Sequence, residues 1–247
     1  MSIKKILVVG GAESYYTPFQ FLYRLSVDDK DYMNNPEKYD MVLFTGGADV
    51  DPKLYDETSP HQKCMINSQR DYKERDIFKR AVNCGTKMTG ICRGLQFLNV
   101  MAGGRMLHDL QGHGSQHKMY THRGSIHVNS LHHQACIPAP GSYVIGWAKN
   151  HSVLSSYGNR DEKLGNWPDF VVEAMLFPEI NASGVQYHPE MMPTNSHGVL
   201  WYEEFIRDLC NFNPSTLVRK YSYKKLNSME KQPPRIGVDS NQCLVSK

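Results

Sequence analysis

Short apolar runs that alternate with helix-like stretches constrain the fold of this chain most strongly. Two of these runs, Ile6 to Val9 and Met41 to Phe44, are followed by Gly-Gly pairs. Continuous apolar runs of this kind are typical of strands that are buried on both faces of a parallel sheet. From Arg70 to Val82 the apolar residues instead recur at the spacing of one helical face. The alternation continues, with strands predicted at Lys87–Ile91, Phe170–Phe177 and Gly184–Tyr187 and helices at Leu95–Met101 and Val199–Leu209. The pattern predicts a doubly wound α/β domain with a mostly parallel sheet.

The character of the sequence changes near residue 213. A chain of 247 residues is long enough for one large domain with a substantial core. The segment 213–247 is polar, contains a Pro-Pro pair and shows no sustained periodicity. We therefore predict one domain over residues 1–212 and a basic, weakly ordered extension over residues 213–247. A solvated tail is the favoured interpretation of this extension, and contact with a partner is the alternative.

Composition narrows the choice of partner and compartment. The chain has 28 Lys and Arg residues against 25 Asp and Glu residues, and this excess of positive charge is too slight to indicate a nucleic-acid partner. No apolar run approaches the length of a membrane span, and the first residues are too short in their apolar part for a secretory signal. The six cysteines form neither a CxxC pair nor a compact framework. Reduced thiols in the cytoplasm are therefore expected.

One cysteine lies between two glycines where a predicted strand meets a predicted helix. The segment GICRG places Cys92 directly after the apolar run, with Gly90 and Gly94 on either side. Glycines at these positions remove side chains that would clash at a sharp strand-to-helix turn that presents a nucleophile. The start of a helix also favours the thiolate form of a cysteine. The alternative is an ordinary core residue, since free cysteines are among the most buried residue types.

A histidine near the end of a later predicted strand is the best candidate for a catalytic base. The segment GVQYHPE carries a short apolar strand into His188, at the sheet edge where α/β active sites form. Glu190 is placed to accept the other imidazole N–H and so to fix the tautomer of the ring. Together with Cys92 these residues form a candidate triad for nucleophilic catalysis. Taken alone, His188 would be interpreted as a histidine whose hydrogen bonds are satisfied within a turn.

Two backbone N–H groups are candidates for an oxyanion hole, which stabilises a tetrahedral intermediate. Arg93 follows the candidate nucleophile, so its N–H lies at the start of the predicted helix. Gly46 and Gly47 follow a buried strand in LFTGGADVDP and allow a backbone amide to face the site. A tight turn is the alternative interpretation of this glycine pair.

Five further histidines lie close together in the middle of the chain: His108, His113, His117, His122 and His127. Their spacing matches no established zinc pattern, and the Gly- and Ser-containing segment that carries them is typical of an irregular surface loop. The glycines after the first strand do not form the G-x-G-x-x-G motif of dinucleotide-binding folds. We therefore expect no metal and no organic cofactor.

Several separated motifs occur in an order that is specific to one superfamily. They are TGGADVDPKLY, the pair Arg75–Asp76, GICRGLQFLNVMAGG, HDL, VNSLHHQA and GVQYHPE. With these motifs the chain resembles the class I glutamine amidotransferase-like hydrolases from about residue 3 to residue 210. The resemblance is strongest to the γ-glutamyl hydrolase branch, peptidase family C26, which includes γ-glutamyl-γ-aminobutyrate hydrolases.

This resemblance implies a flavodoxin-like α/β core and a Cys-His-Glu triad. Carried over position by position, Cys92 is the nucleophile, His188 the base and Glu190 its orienting acid. The backbone amides of Gly47 and Arg93 match the oxyanion hole.

The resemblance also implies a substrate class. Gln96 matches a residue that helps to hold a glutamyl moiety, and His132 matches a loop that closes over the substrate. The implied reaction is hydrolysis of the γ-glutamyl amide bond of a small compound through a thioester on Cys92. Two alternatives stay open: a glutaminase subunit that supplies ammonia from glutamine to a separate synthetase, and a non-catalytic binding relative. A homodimer is also open, whereas neither a membrane nor a nucleic acid is expected as a partner.

Overall fold

The computed structural model describes residues 4–10, 15, 23–58, 60–149, 155–158, 163–165 and 170–221. Its strands are β1 (Lys4–Val9), β2 (Tyr23–Ser26), β3 (Met41–Phe44), β4 (Lys87–Ile91), β5 (Arg105–Leu107), β6 (Asp109–Gln111), β7 (His117–Thr121), β8 (Gly124–Val128), β9 (Ala135–Ile137), β10 (Tyr143–Lys149), β11 (Ser155–Tyr157), β12 (Lys163–Gly165), β13 (Phe170–Phe177) and β14 (Ala182–Val185). Its α-helices are α1 (Asp29–Asn34), α2 (Ser68–Cys84), α3 (Arg93–Met101), α4 (His197–Asn211) and α5 (Pro214–Tyr221).

One large sheet organises the molecule, with the strand order β2-β1-β3-β4-β14-β13-β10-β7-β8. The first five strands in this order are parallel to one another, and we call them the parallel half. Strands β13, β10, β7 and β8 follow in antiparallel pairing, and we call them the antiparallel half. The predicted α/β fold with a mostly parallel sheet and flanking helices is confirmed. The pairing of the antiparallel half was not part of the prediction.

Apolar layers cover both faces of the parallel half. Leu7 and Phe44 belong to the layer beneath α2 and α3, whereas Leu43 belongs to the layer beneath α4. Every residue of β3 and of β14 is buried. Strands covered on both faces need apolar side chains in both directions, which is why these segments appear as continuous apolar runs.

The strand before His188 ends earlier than predicted. We expected Gly184–Tyr187, whereas β14 covers Ala182–Val185. The backbone N–H of His188 donates to the side chain of Asn129, at 2.8 Å, rather than to a neighbouring strand. The chain therefore leaves the sheet just before the candidate base.

The boundary predicted near residue 213 is wrong for the residues that immediately follow it. Residues Pro214–Tyr221 form α5, in which Leu217 and Tyr221 are buried. The Tyr221 hydroxyl donates to Asp208 Oδ2 of α4 at 2.6 Å. Helix α5 therefore belongs to the folded domain. Residues 222–247 lie outside the described residues, so the extension stays a prediction there.

No helix among the described residues has the length and apolar character that a bilayer crossing requires. No disulfide joins the cysteines of the described part of the chain, which are Cys64, Cys84, Cys92, Cys136 and Cys210.

Candidate active site

Two neighbouring parallel strands bring the candidate nucleophile and base to one edge of the sheet. Ile91 of β4 pairs with Val185 of β14. Cys92 follows β4 directly, and its backbone N–H donates to the Val185 carbonyl at 2.8 Å. Since the carboxyl ends of parallel strands form one edge, His188 reaches the same place shortly after β14.

Cys92 lies on a sharp turn with an unusual backbone conformation. Its φ is +52° and its ψ is −109°, a region that residues other than glycine rarely occupy. A Cβ atom on Gly90 would lie 2.2 Å from the carbonyl carbon of Gly94. A Cβ atom on Gly94 would lie 2.0 Å from the carbonyl oxygen of Phe44. The two glycines therefore let α3 begin against the ends of β3 and β4, as the sequence predicted.

His188 lies between a thiol and a carboxylate. Its Nδ1–H donates to Glu190 Oε1 at 2.6 Å, and the ring also forms a hydrogen bond with Cys92. Burial alone would lower the pKa of His188. The hydrogen bonds and charges of Cys92 and Glu190 outweigh this effect and raise the pKa of His188 to about 10. The imidazolium form is therefore favoured at neutral pH, next to the sulfur that would attack.

Asn129 fixes the backbone of the candidate base, a role that the sequence did not predict. Its Nδ2 donates to the carbonyl oxygen of His188 at 2.9 Å, and its Oδ1 accepts from the His188 N–H at 2.8 Å. Asn129 lies in the motif VNSLHHQA, but the motif itself does not indicate which backbone its side chain contacts. The paired hydrogen bonds hold His188 where the chain has already left β14.

Arg70 organises the loop that carries the predicted oxyanion amide. Its Nη1 donates to the Gly46 carbonyl at 2.8 Å, and its Nη2 donates to the Thr45 carbonyl at 3.0 Å. In a trans peptide the N–H points opposite to the C=O, so a carbonyl held by Arg70 directs the N–H of Gly47 away from Arg70. Gly47 has a φ of +137°, which strongly favours glycine.

The side chain of Arg93 ties the nucleophile turn to α2. It is almost fully buried and forms ion pairs with Asp71 and Glu74. Glu74 also accepts from Arg70 Nε at 2.7 Å, so one acidic side chain joins the nucleophile turn to the Gly46–Gly47 loop. The helix start leaves the backbone N–H of Arg93 without an intrahelical acceptor, as an oxyanion donor requires.

The Arg-Asp pair that contacts the site is Arg70–Asp71, whereas the motif order was quoted with Arg75–Asp76. Helix α2 contains this dipeptide at Arg70–Asp71 and again at Arg75–Asp76. Arg70 and Asp71 make the contacts described above, whereas Arg75 stacks on the Tyr72 ring, 5.0 Å from its centroid. A sequence signal was available, because Glu74 follows Arg70 at the i,i+4 spacing that allows an ion pair within a helix.

The two predicted substrate-binding residues meet at one backbone carbonyl. His132 Nδ1 donates to the Gln134 oxygen at 2.8 Å, and Gln96 Nε2 approaches the same oxygen at 3.5 Å. Gln96 also lies 3.3 Å from Gln186 Oε1. His132 is buried, at 5% exposure, and the predicted closure of its loop over the substrate stays a prediction. Binding of substrate by Gln96 stays a prediction.

The expectation that the central histidines lie on an irregular surface segment is wrong. The segment contributes β6, β7 and β8, and His108 and His113 are buried. The His108 Nε2 lies 2.6 Å from Glu57 Oε2. The pattern was misleading because polar residues in antiparallel strands were interpreted as a loop.

Tyr15 is a further neighbour of the site that was not predicted. Its ring centroid lies 6.4 Å from that of His188. A Cβ atom on Gly46 would lie 2.4 Å from the Tyr15 hydroxyl. Burial, followed by the negative charges of Glu190 and Cys92, raises the pKa of Tyr15 to about 12. Tyr15 therefore presents a neutral hydroxyl beside the Gly46–Gly47 loop.

This chain is similar in sequence to a known protein family and to several known proteins. Residues 19–190 match the family model described as Peptidase C26. The glutamine amidotransferase-like protein YvdE of Lactococcus lactis is 32% identical over 167 residues, which are 64% of this chain and 69% of that protein. A γ-glutamyl-L-1-hydroxyisopropylamide hydrolase of Pseudomonas is 26% identical over 226 residues, covering 85% of this chain and 63% of that protein.

Solved structures agree on the fold. A Thermoplasma acidophilum protein described as one subunit of a GMP synthase superposes with a TM-score of 0.58 at 16% identity, covering 89% of this chain and 99% of that one. A glutamine amidotransferase of Thermotoga maritima superposes with a TM-score of 0.54 at 13% identity, covering 90% and 91%. Since the matched family region spans most of the sequence and includes Cys92, His188 and Glu190, the chain belongs to the Peptidase C26 family of glutamine amidotransferase-like hydrolases.

Proposed function

We propose that this protein hydrolyses the γ-glutamyl amide bond of a small γ-glutamyl compound, using Cys92 as the nucleophile. The observation that carries the proposal is the continuous hydrogen-bonded line from Cys92 through His188 to Glu190 at the ends of β4 and β14. The similarity to the Pseudomonas γ-glutamyl amide hydrolase supports the substrate class. No metal or organic cofactor takes part in the proposed steps.

The first half of the proposed cycle forms a thioester. The Cys92 thiolate attacks the γ-carbonyl carbon, and the resulting oxyanion accepts from the backbone N–H groups of Gly47 and Arg93. The C–N bond then breaks, and the His188 imidazolium gives its proton to the departing amine. Glu190 holds the opposite N–H of the ring throughout, so the imidazole keeps one tautomer and one orientation.

The second half releases glutamate and restores the enzyme. His188, now neutral, takes a proton from water as the water oxygen attacks the thioester carbonyl. The same two N–H groups stabilise the second oxyanion. The C–S bond breaks, and the resting thiolate–imidazolium pair returns. Gln96 lies one helical turn after Cys92 on α3, and we assign it to the glutamyl moiety.

A glutaminase subunit is the second candidate function. The chain is 26% identical to the glutamine-hydrolysing GMP synthase of Clostridium botulinum over 224 residues, which are 91% of this chain but 37% of that protein. In this case the same triad would release ammonia from glutamine for a separate synthetase. A non-catalytic relative would not need a nucleophile and a base in hydrogen-bonding contact, so we rank that alternative last.

The deciding experiment is glutamate release by the purified chain from glutamine and from a panel of γ-glutamyl amides. We expect at least one amide to be hydrolysed with a higher kcat/KM than glutamine, without any added protein. Cys92→Ala should abolish release, and Cys136→Ala, which removes a neighbouring buried thiol, should not. Cleavage of glutamine alone, and only after a synthetase fraction is added, would replace the hydrolase proposal with the glutaminase one.

Alkylation near neutral pH tests the nucleophile separately from turnover. We expect iodoacetamide to label Cys92 first, because it is the proposed nucleophile and lies beside His188 at the start of a helix. Cys64 is the internal comparison, since burial raises the pKa of its thiol to about 12. Faster labelling of Cys64, with Cys92 inert, would argue against a catalytic Cys92 whatever the substrate.

A further inference from the structure

We propose that His113, His132 and Glu173 form a binding site for a divalent transition-metal ion of the zinc class. The residues come from three separate segments: the loop before β7, the loop between β8 and β9, and the middle of β13. Each side chain is buried, and one ligand atom from each lies within 4.8 Å of the other two. This proposal is independent of the proposed hydrolysis, because none of the three residues takes part in that mechanism.

One ring nitrogen of His132, Nε2, lies near Glu173 and carries no proton that it could donate. Its Nδ1–H donates to the Gln134 carbonyl at 2.8 Å, so the neutral ring has a lone pair at Nε2. This Nε2 has no hydrogen-bond partner among the described residues and lies 3.8 Å from Glu173 Oε1. A cation between these two electron-pair donors would satisfy both.

Two further atoms of the cluster lack a hydrogen-bond partner. Glu173 Oε2 and His113 Nδ1 are buried without a partner among the described residues. Leaving such groups unsatisfied costs about 1–3 kcal/mol each, and more for a charged group. A buried carboxylate in the middle of a strand needs positive charge nearby, and a metal ion would supply it.

The distances are close to those of a metal coordination shell. Zinc lies about 2.0–2.2 Å from imidazole nitrogen and carboxylate oxygen, so tetrahedral ligands are about 3.3–3.6 Å apart. His113 Nε2 lies 3.2 Å from Glu173 Oε1, and His132 Nε2 lies 3.8 Å from the same oxygen. These two distances are within a few tenths of an ångström of the zinc range, and the two imidazole nitrogens lie within 4.8 Å of each other.

His117 supports the site from the outside. Its Nε2 lies 2.9 Å from Glu173 Oε1, and its Nδ1 lies 3.1 Å from the Ser115 carbonyl. Hydrogen bonds of this kind orient the ligands of metal sites and tune their affinity. A set of imidazole and carboxylate donors without a thiolate suits zinc, cobalt or nickel better than copper(I).

Hydrogen bonds to the backbone connect the proposed metal site with the candidate active site. Gln134, whose carbonyl accepts from His132, is also approached by Gln96 on the nucleophile helix. The backbone carbonyl of Glu173 accepts from the N–H of Gln186 at 2.7 Å, and Gln186 lies two residues before His188. A bound metal would therefore hold β13 and the loop after β8 together, and this loop includes Asn129, which fixes His188.

Cobalt loading of the untagged protein tests the site without relying on activity. After removal of metal with a chelator, the wild-type chain should bind one Co²⁺ per molecule, with the visible d–d absorption of low-coordinate cobalt. Zn²⁺ should displace this cobalt at one equivalent, as measured by metal analysis after gel filtration. His113→Ala and Glu173→Gln should each lose the absorption and lower the affinity at least about tenfold.

His127→Ala is the matched control, because His127 is an exposed histidine of the same segment and should leave cobalt binding unchanged. If Glu173→Gln does not fold, His113→Ala and the wild-type titration still decide the question. Wild-type protein that retains far less than one equivalent of cobalt would overturn the proposal. Unchanged cobalt absorption in His113→Ala would overturn it as well.

Discussion

The two halves of the main sheet use buried polar groups in different places. In the parallel half, strands β3 and β14 are buried along their whole length, and the candidate catalytic residues lie in the turns beyond the strand ends. In the antiparallel half, β7 and β8 are partly exposed, whereas Glu173 places a carboxylate in the middle of buried β13. Catalytic residues at a strand end can be accessible to substrate. The charge of a carboxylate inside a sheet, by contrast, must be neutralised by neighbouring groups. The first arrangement suits catalysis, and the second suits a site that holds the structure together.

The largest expected effect tests whether chemistry is confined to the edge of the parallel half. His188→Ala should lower kcat/KM for the best γ-glutamyl amide by about 10⁴-fold or more, because it removes both the base and the acid. Glu190→Gln should cost less, because the imidazole can still act when it is poorly oriented. Lys118→Ala, at an exposed position of β7, is the control and should have no effect. If His188→Ala turns over substrate at the wild-type rate, the catalytic residues do not include His188 and lie elsewhere in the molecule.

The next effect tests the ion pairs that join α2 to the nucleophile turn. Asp71→Ala leaves the buried Arg93 guanidinium with one carboxylate fewer, and loss of a buried ion-pair partner typically costs about 3–5 kcal/mol. Urea denaturation should show a loss of this size in the free energy of unfolding. Asp76→Ala is the matched control from the second Arg-Asp pair, with an expected change within about 0.5 kcal/mol. Equal losses in the two variants would refute the assignment of the structural role to Arg70–Asp71.

A smaller loss of stability tests whether the two halves share one core. Tyr221 of α5 lies in an apolar layer that includes Ile6 of β1 and Met119 of β7. Tyr221→Ala should lower the free energy of unfolding by about 3 kcal/mol, and Arg219→Ala, exposed on the same helix, should not. Intrinsic fluorescence and far-UV circular dichroism should report a single shared transition in both variants. Two separated transitions would show that the halves unfold independently.

The smallest effect is a shift in the pH dependence of catalysis. Cys92 and Glu190 raise the pKa of His188 to about 10 against the opposing effect of burial. The imidazolium is present below this pH, so kcat/KM should fall as the pH rises through about 10 and the leaving amine loses its proton donor. Glu190→Gln removes one of the contributions that raise this pKa, and the alkaline limb should move to lower pH. Glu204→Gln, at a surface carboxylate of α4, should leave the limb in place; an identical shift in both variants would exclude a specific role for Glu190.

The sequence by itself determined those features that depend on residues close to one another along the chain. Continuous apolar runs predicted β1, β3 and β4, and β14 with shifted bounds, because both faces of these strands are covered; β2 was not predicted. The turn at Cys92 was predictable because Gly90 and Gly94 lie within two residues of it. The pairing of His188 with Glu190 was predictable because only one residue separates them. The family resemblance then indicated how these local signals fit together.

The tertiary structure decided the contacts between residues that are distant along the chain. Helix α2 contains two Arg-Asp pairs, and the packing of α2 against the turn after β4 brings Asp71 of the first pair into contact with Arg93. Residues Pro214–Tyr221 have too short an apolar pattern to predict a helix reliably, and burial of Leu217 and Tyr221 against the core stabilises α5. His113 and Glu173 are 60 residues apart, and antiparallel strand pairing brings them to within 3.2 Å. The local sequence pattern does not predict this contact, because the contact depends on which strands are neighbours in the folded sheet.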